Sequence, residues 1–443
     1  MIVLAHGLGG RSDLPVPLWL AMYAATAAVV ISFIAVLAFW PRPRLAGDAG
    51  REVPPRLQRV ADSPVTRAAL RACGVLLGAL FLLAAWTGVD SAADNPAPTW
   101  FYVWFWVGLV PASVLLGPVW RLLNPLRGVV GVLLLARGGR PVLAEDQARR
   151  IVERAGYWPA VIGVAAFVWL ELVYTQPDRP RTVALFVTGY ALVHTVGGLL
   201  VGQRWFDRGD GFEAYSTLLA RLAPLGRRPD GRLVLRNPLA GLAGVTAAPG
   251  LVAFVCVLLG STAFDGLSRT ALWRTVSTGT STAVYLLSGT LGLVASAAAV
   301  AAIYHGALGL TRPFLAADHR GGLAMAFAHT LVPIAIGYTV AHYFSLVVFQ
   351  GQAGVLLATD PFGRGWDLLG TAGARIDYTV LSTATIALVQ VGAIVAGHIL
   401  GVVAAHDRAV AVLARRHLRR GQYPMLAAMI TYTGVGIALL VGT

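Results

Sequence analysis

Apolar stretches long enough to cross a lipid bilayer dominate this sequence and constrain its fold more than any other feature. A membrane-spanning helix needs roughly 20 mostly apolar residues. Only 13% of the 443 residues are charged, about half the share found in soluble domains. We therefore predict an all-α, polytopic transmembrane bundle that forms a single integral membrane domain over residues 1–443. The ten predicted spans are Leu18–Trp40, Leu70–Val89, Trp100–Trp120, Trp158–Thr175, Thr182–Val201, Thr246–Phe264, Ser281–Tyr304, Met325–Phe349, Asp377–Ala404 and Tyr423–Gly442.

The basic residues, all of them arginine, are distributed unevenly between the loops. Most of the 35 arginines fall in alternate loops, and the net charge is +14. Because arginine-rich loops stay on the cytoplasmic side, both termini are predicted to face outward from a bacterial cytoplasmic (inner) membrane. The arginines would then meet anionic lipid headgroups, and their placement argues against nucleic acid as a partner. The predicted cytoplasmic loops are Pro41–Ala69, Arg121–Tyr157, Gly202–Val245, His305–Ala324 and Ala405–Gln422.

Two of these loops, residues 121–157 and 202–245, are predicted to contain helices that do not span the membrane. In the first, Asn124-Pro125 provides an N-cap and a first helical residue for about ten apolar residues, which is too short to cross. We interpret this segment as a short interfacial or re-entrant helix. In the second, the apolar residues from Phe212 to Leu222 share one helical face, which is typical of an interfacial helix. A hairpin with Asp230-Gly231 at its turn follows.

The N-terminal residues before the first span offer two interpretations. They form an ordinary short polar leader, which we favour, or they are the remnant of a signal peptide that begins at an upstream start codon. In the second case His6 becomes the mature N-terminal residue, whose amine and imidazole can together chelate a metal such as copper.

Polar residues predicted near the outer side of the membrane form the first candidate site. Glu171 and His342 lie inside spans, where ionisable groups are costly and mark functional sites. Such a pair can bind a metal, relay protons or activate water, although it can equally be a structural hydrogen bond. Tyr338 lies one turn before His342. The predicted catalytic residues are Glu171, His342, Tyr338 and Arg364, and the predicted metal ligands are His342, Glu171, Asp265 and Asp360.

Histidines predicted nearer the cytoplasmic side form the second candidate site. His194, His329 and His398 could hold a haem iron or a transition metal. The alternative is that each is a buried histidine bonded to a main-chain carbonyl or a hydroxyl group. Pro333 removes the hydrogen bond to the carbonyl of His329, so a kink is expected there. His406 lies among arginines and is expected at the lipid headgroups. The sequence does not identify a cofactor, and of the two candidates a divalent transition metal is favoured over haem.

Several segments resemble a family of polytopic bacterial membrane proteins labelled fenitrothion hydrolase (membrane component) or uncharacterised integral membrane protein. The resemblance covers most of the chain, and it implies hydrolysis of an organophosphate triester without assigning catalytic residues. The segments that carry it are AHGLGGRSDLPVPLWL (Ala5–Leu20), DGFEAYSTLLARLAPLGRR (Asp210–Arg228), GSTAFDGLS (Gly260–Ser268), AHTLVPIAIGYTVAHYFSLVVFQGQ (Ala328–Gln352) and TDPFGRGWDLLGT (Thr359–Thr371).

Three classes of function therefore stay open. The resemblance favours metal-assisted hydrolysis of a lipophilic phosphotriester at the outer site. Glu171 and His342 would act there as ligands or base, and Arg364 would bind the phosphoryl oxygen. The alternatives are a proton- or metal-coupled transporter and a haem- or metal-binding partner of an envelope redox system. An additional membrane or envelope subunit that completes the site is compatible with all three.

Overall fold

The structure is a computed structural model that describes residues 18–47, 49–316 and 322–441. The structure is 74% helical. His6 lies outside these residues. The α-helices are α1 (Leu18–Phe39), α2 (Pro55–Asp62), α3 (Pro64–Thr87), α4 (Ala97–Thr99), α5 (Leu109–Leu116), α6 (Val119–Leu123), α7 (Pro125–Ala136), α8 (Glu145–Ala155), α9 (Trp158–Leu172), α10 (Pro180–Val201), α11 (Gly211–Leu219), α12 (Pro238–Ala243), α13 (Leu251–Ser268), α14 (Ala271–Ser277), α15 (Thr282–Thr311), α16 (Leu323–Phe327), α17 (Val332–Leu357), α18 (Thr383–Val412) and α19 (Tyr423–Val441).

Within the described residues, nine helical segments are long and apolar enough to cross a membrane, which confirms a multi-pass membrane protein. A tenth is possible if α8 and α9, which meet at a bend of 54°, form one span. The orientation of the chain stays a prediction. The nine segments are Met22–Phe39, Pro64–Thr87, Ala97–Leu116, Val119–Ala136, Pro180–Val201, Leu251–Ser268, Thr282–Phe314, Leu323–Leu357 and Thr383–Val412.

The segment from Val119 to Ala136 differs from its prediction as a helix too short to span. Helix α6 begins directly after Pro118, and Asn124 ends it and caps α7, its side chain accepting a hydrogen bond from the Leu126 amide. The predicted cap at Asn124-Pro125 is therefore present. The extra turn of α6 brings the combined segment to the length that a span requires.

The chain divides into two compact units. The first comprises Gly50–Arg236 and Ser345–Val380, together with residues 1–8 outside the described range. Its centre is aromatic. The sequence WFYVWFWV forms a π-helical segment, Trp100–Val107, and Trp106 from this segment packs 4.6 Å from Phe167 and 4.5 Å from Tyr215, measured between ring centroids.

Helix α11 is buried on every side in this first unit, although the sequence predicts a helix with one apolar and one polar face. Phe212, Tyr215 and Leu218 are buried, but Glu213 and Ser216 are buried as well. The pattern misleads because the polar residues of α11 bond to other helices instead of solvent. Asp210, the residue before the helix, is also buried and caps it.

A small antiparallel sheet follows α11. Strands β2 (Leu225–Arg227) and β3 (Leu233–Leu235) form the predicted hairpin, and Gly231 in its turn has a φ of +83°. The strand β1 (Arg51–Glu52), which the sequence does not predict, pairs with β3. The sheet order is β1-β3-β2.

Within the described residues, the second unit comprises residues 18–47, 49, 237–316, 322–344 and 381–441, and it contains α1, α13, α15, α18, α19 and the first half of α17. Glycines bring its helices close together. A Cβ atom at Gly337 of α17 would overlap the main chain of α18 at Ala393, and one at Gly260 of α13 would overlap Ala297 of α15. Small residues at helix crossings allow this approach in membranes. The close crossings hold the polar side chains of α13, α17 and α18 in place.

The regular helix is interrupted before α17, where the sequence predicts a kink at Pro333. Residues Ala328–Leu331 form a 3₁₀ turn between α16 and α17. Pro333 cannot donate to the carbonyl of His329, four residues earlier, so the α-helical hydrogen-bond pattern cannot run through this position.

Glu52 connects the sheet, since it accepts hydrogen bonds from Arg228 and from Arg232, the latter at 2.6 Å. The hydrogen bond from Arg232, followed by that from Arg228, holds the pKa of Glu52 below its usual range. A carboxylate with a lowered pKa stabilises the fold above its unfolded pKa, and this contribution disappears as the pH falls through the folded pKa. We expect hydrogen-exchange protection of residues 225–235 to fall in that acidic window.

The variant Glu52→Gln should lose the same protection at neutral pH and show no further loss on acidification. Glu153→Gln, an exposed change on α8, is the matched control. Equal protection factors in Glu52→Gln and the parent protein at pH 7 would contradict this role of Glu52.

Candidate functional site

Asp265 and His342 form a hydrogen-bonded pair in the second unit. Asp265 lies near the end of α13, and His342 lies within α17. The His342 Nε2 and the Asp265 Oδ2 are in direct contact, and both side chains are buried. Arg269, one turn after Asp265, reaches its two carboxylate oxygens at 3.2 and 3.1 Å. The arrangement is a carboxylate between an imidazole and a guanidinium group.

Two tyrosines and a second histidine lie beside this pair. Tyr338 stacks on His342 with 6.3 Å between ring centroids and an interplanar angle of 16°. Tyr338 is 6.4 Å from Tyr432, and Tyr432 is 6.1 Å from His398. The Nδ1 of His398 is 2.9 Å from the main-chain oxygen of Ile394, one turn earlier on α18. The four rings form a continuous row from His342 to His398.

Each histidine of this row has one ring nitrogen with no hydrogen-bond partner among the described residues. These atoms are the Nδ1 of His342 and the Nε2 of His398. The relative exposure of His342 is 9% and that of His398 is 1%. A buried polar atom without a partner is uncommon and is expected where a group has a chemical task or binds a small species. Both imidazoles therefore have a nitrogen available to take up or release a proton.

The other residues predicted for the outer site lie elsewhere. Glu171 is buried in the first unit, at the end of α9, where its charge acts on the phenol of Tyr102. His342 belongs to the second unit, so the pairing of Glu171 with His342 stays a prediction. Of the predicted metal ligands, Asp265 and His342 are in contact with each other. Within residues 18–47, 49–316 and 322–441, no group of three or more His, Cys, Asp or Glu side chains is arranged to hold a metal ion.

Asp360 and Arg364 form a turn in the first unit. The carboxylate of Asp360 accepts hydrogen bonds from the main-chain amides of Arg364, at 2.9 Å, and Gly365, at 2.6 Å. These amides, that of Arg364 first, lower the pKa of Asp360. The Arg364 guanidinium is exposed and lies over Phe362 and Trp366, at 5.7 and 5.5 Å from the ring centroids.

The histidines of the predicted inner site belong to two units. His194, in the first, accepts a hydrogen bond at its Nδ1 from the indole of Trp205 at 3.0 Å. His329 and His398 are buried in the second unit. His329 lies in the 3₁₀ turn, within electrostatic reach of Arg408. Their joint binding of a cofactor stays a prediction.

His406 differs from the expectation of a residue at the lipid headgroups. It is buried, with Nδ1 2.8 Å from the Gln422 side chain and Nε2 2.9 Å from the Trp40 carbonyl. The neighbouring Asp407 accepts hydrogen bonds from the Trp40 indole and the Arg44 amide. A cavity of about 20 Å³, large enough for one water molecule, borders His406 and Gln422.

A buried ionic network that is not predicted from the sequence surrounds Arg127 in the first unit. Its guanidinium binds Glu213 through two nitrogens, at 2.7 and 2.5 Å, and binds Asp207 at 2.7 Å. Asn124 bridges Glu213 and Asp210, and the Tyr190 hydroxyl donates to Asp210 at 2.6 Å. The one sequence signal is the pair of acidic residues, Asp210 and Glu213, in the otherwise apolar stretch around α11.

The network serves to neutralise buried charge. Burial raises the pKa of Glu213, and the hydrogen bond and charge of Arg127 oppose that shift. Both carboxylate oxygens of Glu213 and all three nitrogens of the Arg127 guanidinium form hydrogen bonds. A network satisfied in this way rigidifies the fold and leaves no free atom for chemistry.

The comparisons with known proteins identify no relative, since no family model, no curated protein and no solved structure matches the chain.

Removing one partner of the buried pair should be strongly destabilising. We expect Glu213→Leu to lower the free energy of unfolding by about 3–5 kcal/mol, because it leaves the buried Arg127 partly uncompensated. The double variant Arg127→Met with Glu213→Leu should recover most of this loss. The measurement is unfolding by SDS titration in mixed micelles, with Glu153→Leu on exposed α8 as the control. Additive losses in the double variant would contradict the coupling of the two residues.

Proposed function

We propose that this chain is a proton-coupled membrane transport protein and that Asp265 and His342 are its proton-binding pair. The single observation that carries the proposal is the buried hydrogen bond between these side chains, with the second nitrogen of His342 left without a partner among the described residues. Ionisable pairs inside membrane-spanning helices are typical of proton relays in pumps and transporters.

The chemistry of the pair suits reversible protonation. Imidazole changes its charge near neutral pH more readily than any other side chain. A carboxylate beside it stabilises the protonated ring, and Arg269 competes for the same carboxylate oxygens. Protonation of His342 would therefore strengthen its contact with Asp265 at the expense of the contact with Arg269. A change of this kind can couple proton binding to a movement of α13 against α17.

The row of rings supplies a second proton site and groups between the two. His398 has an available Nε2, and the hydroxyls of Tyr338 and Tyr432 can both donate and accept. These hydroxyls donate to the carbonyls of Gly436, at 3.5 Å, and Leu259, at 3.1 Å. The Tyr338 bond is long and weak, so the Tyr338 hydroxyl is the easier of the two to rotate towards a neighbour.

Proton movement into proteoliposomes tests this proposal. The purified protein is reconstituted with a pH-sensitive dye inside, and a potassium gradient with valinomycin drives proton entry. We expect faster acidification than in protein-free vesicles, and we expect Asp265→Asn and His342→Gln to reduce it to the protein-free rate. Tyr338→Phe, which keeps the ring and removes the hydroxyl, should slow it.

Asp377→Asn is the matched control, because Asp377 is an exposed carboxylate that bonds to Thr379 outside the candidate spans. It should leave the rate unchanged. Proton entry in the parent protein at the rate of protein-free vesicles would overturn the proposal. Parental rates in both Asp265→Asn and His342→Gln would overturn the assignment of the pair.

Metal-assisted hydrolysis of a lipophilic phosphotriester is the second candidate, and the same pair favours it. An imidazole that is oriented by a carboxylate and has its other nitrogen available has the arrangement of a general base. The resemblance noted from the sequence implies this substrate class. In this candidate, His342 is the base and Asp265 orients it.

Cleavage of a chromogenic phosphotriester by detergent-purified protein separates the two candidates, because hydrolysis needs no gradient. If this candidate is correct, His342→Ala should lower the rate about 10²- to 10⁴-fold, and metal analysis of the protein should find a stoichiometric transition metal. Cleavage at the parental rate in both His342→Ala and Asp265→Ala would overturn hydrolysis at this site.

A further inference from the structure

Two arginines near the sheet of the first unit differ from the other buried arginine, Arg127, because no acidic side chain among residues 18–47, 49–316 and 322–441 forms an ion pair with them. Arg221 lies in a 3₁₀ turn, Ala220–Leu222, directly after α11, and Arg236 follows strand β3. Arg236 is 8% exposed, and Arg221 is half-buried. Within the part of the chain that the structure describes, neither guanidinium has an ion pair with a carboxylate.

The carboxylates in this region are occupied by other arginines. Asp207 binds Arg121 at 3.1 Å and Arg127 at 2.7 Å, and Glu213 binds Arg127. Arg121 and Arg221 are instead close enough to repel each other, as are Arg221 and Arg236. Burial, followed by this repulsion, lowers the pKa of the Arg236 guanidinium. Arginine nevertheless keeps its proton in proteins, so the site retains its positive charge.

The guanidinium of Arg236 is held in place by two contacts and has one N–H group available as a hydrogen-bond donor. Its Nη2 lies 3.4 Å from the carbonyl oxygens of Ala220 and Arg221, which orients the group towards the turn that carries Arg221. Its Nε has no hydrogen-bond partner among the described residues. An unpartnered buried donor on a charged group is costly unless an acceptor binds it.

Gly226 on strand β2 makes room for this guanidinium. A Cβ atom at position 226 would overlap the Cζ and Nε atoms of Arg236. The register of the hairpin, in which Gly226 pairs with Val234, keeps the glycine opposite the segment that leads to Arg236. The backbone of the sheet therefore determines where the Arg236 guanidinium lies.

We propose that Arg221 and Arg236 form a binding site for a phosphate group. Guanidinium groups bind phosphate oxygens through paired, charge-assisted hydrogen bonds. The negative charge of a phosphate bound between two guanidinium groups also offsets the repulsion between them. Arg121 and the phenol of Tyr157 lie within electrostatic reach of Arg221 and border the site. The phosphate belongs to a lipid headgroup or to a soluble phosphate, and the experiment distinguishes these sources.

The test measures the thermal unfolding of the full-length protein in detergent, after delipidation. One arm adds inorganic phosphate and compares it with chloride at equal ionic strength. The other arm adds short-chain phosphatidic acid and compares it with a neutral diacylglycerol of the same chain length. We expect at least one phosphate compound to raise the unfolding midpoint in a saturable manner. Stabilisation by phosphatidic acid alone identifies a lipid site, and stabilisation by inorganic phosphate identifies a soluble anion.

Three variants assign the effect to these residues. Arg221→Gln and Arg236→Gln should each weaken binding about 10- to 100-fold, the value of hydrogen bonds to a charged group. Gly226→Ala keeps both charges but displaces the Arg236 guanidinium, so it should weaken binding as well, even if Arg236→Gln fails to fold. Arg150→Gln, an exposed arginine on α8, should bind like the parent protein.

Two results would overturn the proposal. One is a parent protein whose midpoint responds to phosphate compounds no more than to chloride and diacylglycerol. The other is an equal response in Arg221→Gln, Gly226→Ala and the Arg150→Gln control, which would show that the compounds bind elsewhere. Neither result depends on proton transport or on hydrolysis.

Discussion

The cost of placing charge among apolar helices is the constraint on which both units depend. An ionised group away from water is stable only if an opposite charge or several hydrogen bonds replace its hydration. In the first unit, Arg127 takes the place of water around the Glu213 carboxylate, and Asn124 and Tyr190 do so around the Asp210 carboxylate. In the second unit, His342 and Arg269 take the place of water around the Asp265 carboxylate. Each solution connects helices that are distant in sequence, so neutralising the charge also fixes the packing.

The two buried pairs differ in whether they can change their charge. An arginine cannot lose its proton at physiological pH, so the pair of Arg127 and Glu213 keeps one charge state and acts as a permanent connection. A histidine can lose its proton, so the pair of His342 and Asp265 has at least two states that differ by one charge. The Nδ1 of His342, which has no hydrogen-bond partner in the part of the chain that the structure describes, can take up or release that proton. This difference is why we assign structure to the first pair and chemistry to the second.

Eight of the ten predicted spans correspond to candidate spans of the structure, because hydropathy is a local property. The hairpin turn at Asp230-Gly231 and the cap at Asn124-Pro125 could be predicted for the same reason. The partners of buried charges could not, because the sequence does not show which helices meet. Asp265 is 77 residues from His342, and Arg127 is 86 residues from Glu213. Depth in the membrane, which the sequence does indicate, suggests Glu171 as a partner of His342, but it cannot reveal the contact that Asp265 makes with His342.

Helix α11 is a second case in which the sequence does not reveal the partners of a buried charge. Its sequence has the pattern of a surface helix, because a polar residue looks the same whether it faces water or a buried partner. Glu213 is fully buried, and it tolerates this only because Arg127, on α7, supplies both charge and donors. The reverse holds for Arg221 and Arg236, whose burial has no carboxylate to compensate it in the described chain. The Nε of Arg236 is buried with no hydrogen-bond partner among the described residues, so an anion from outside the chain would supply both the acceptor and the opposite charge.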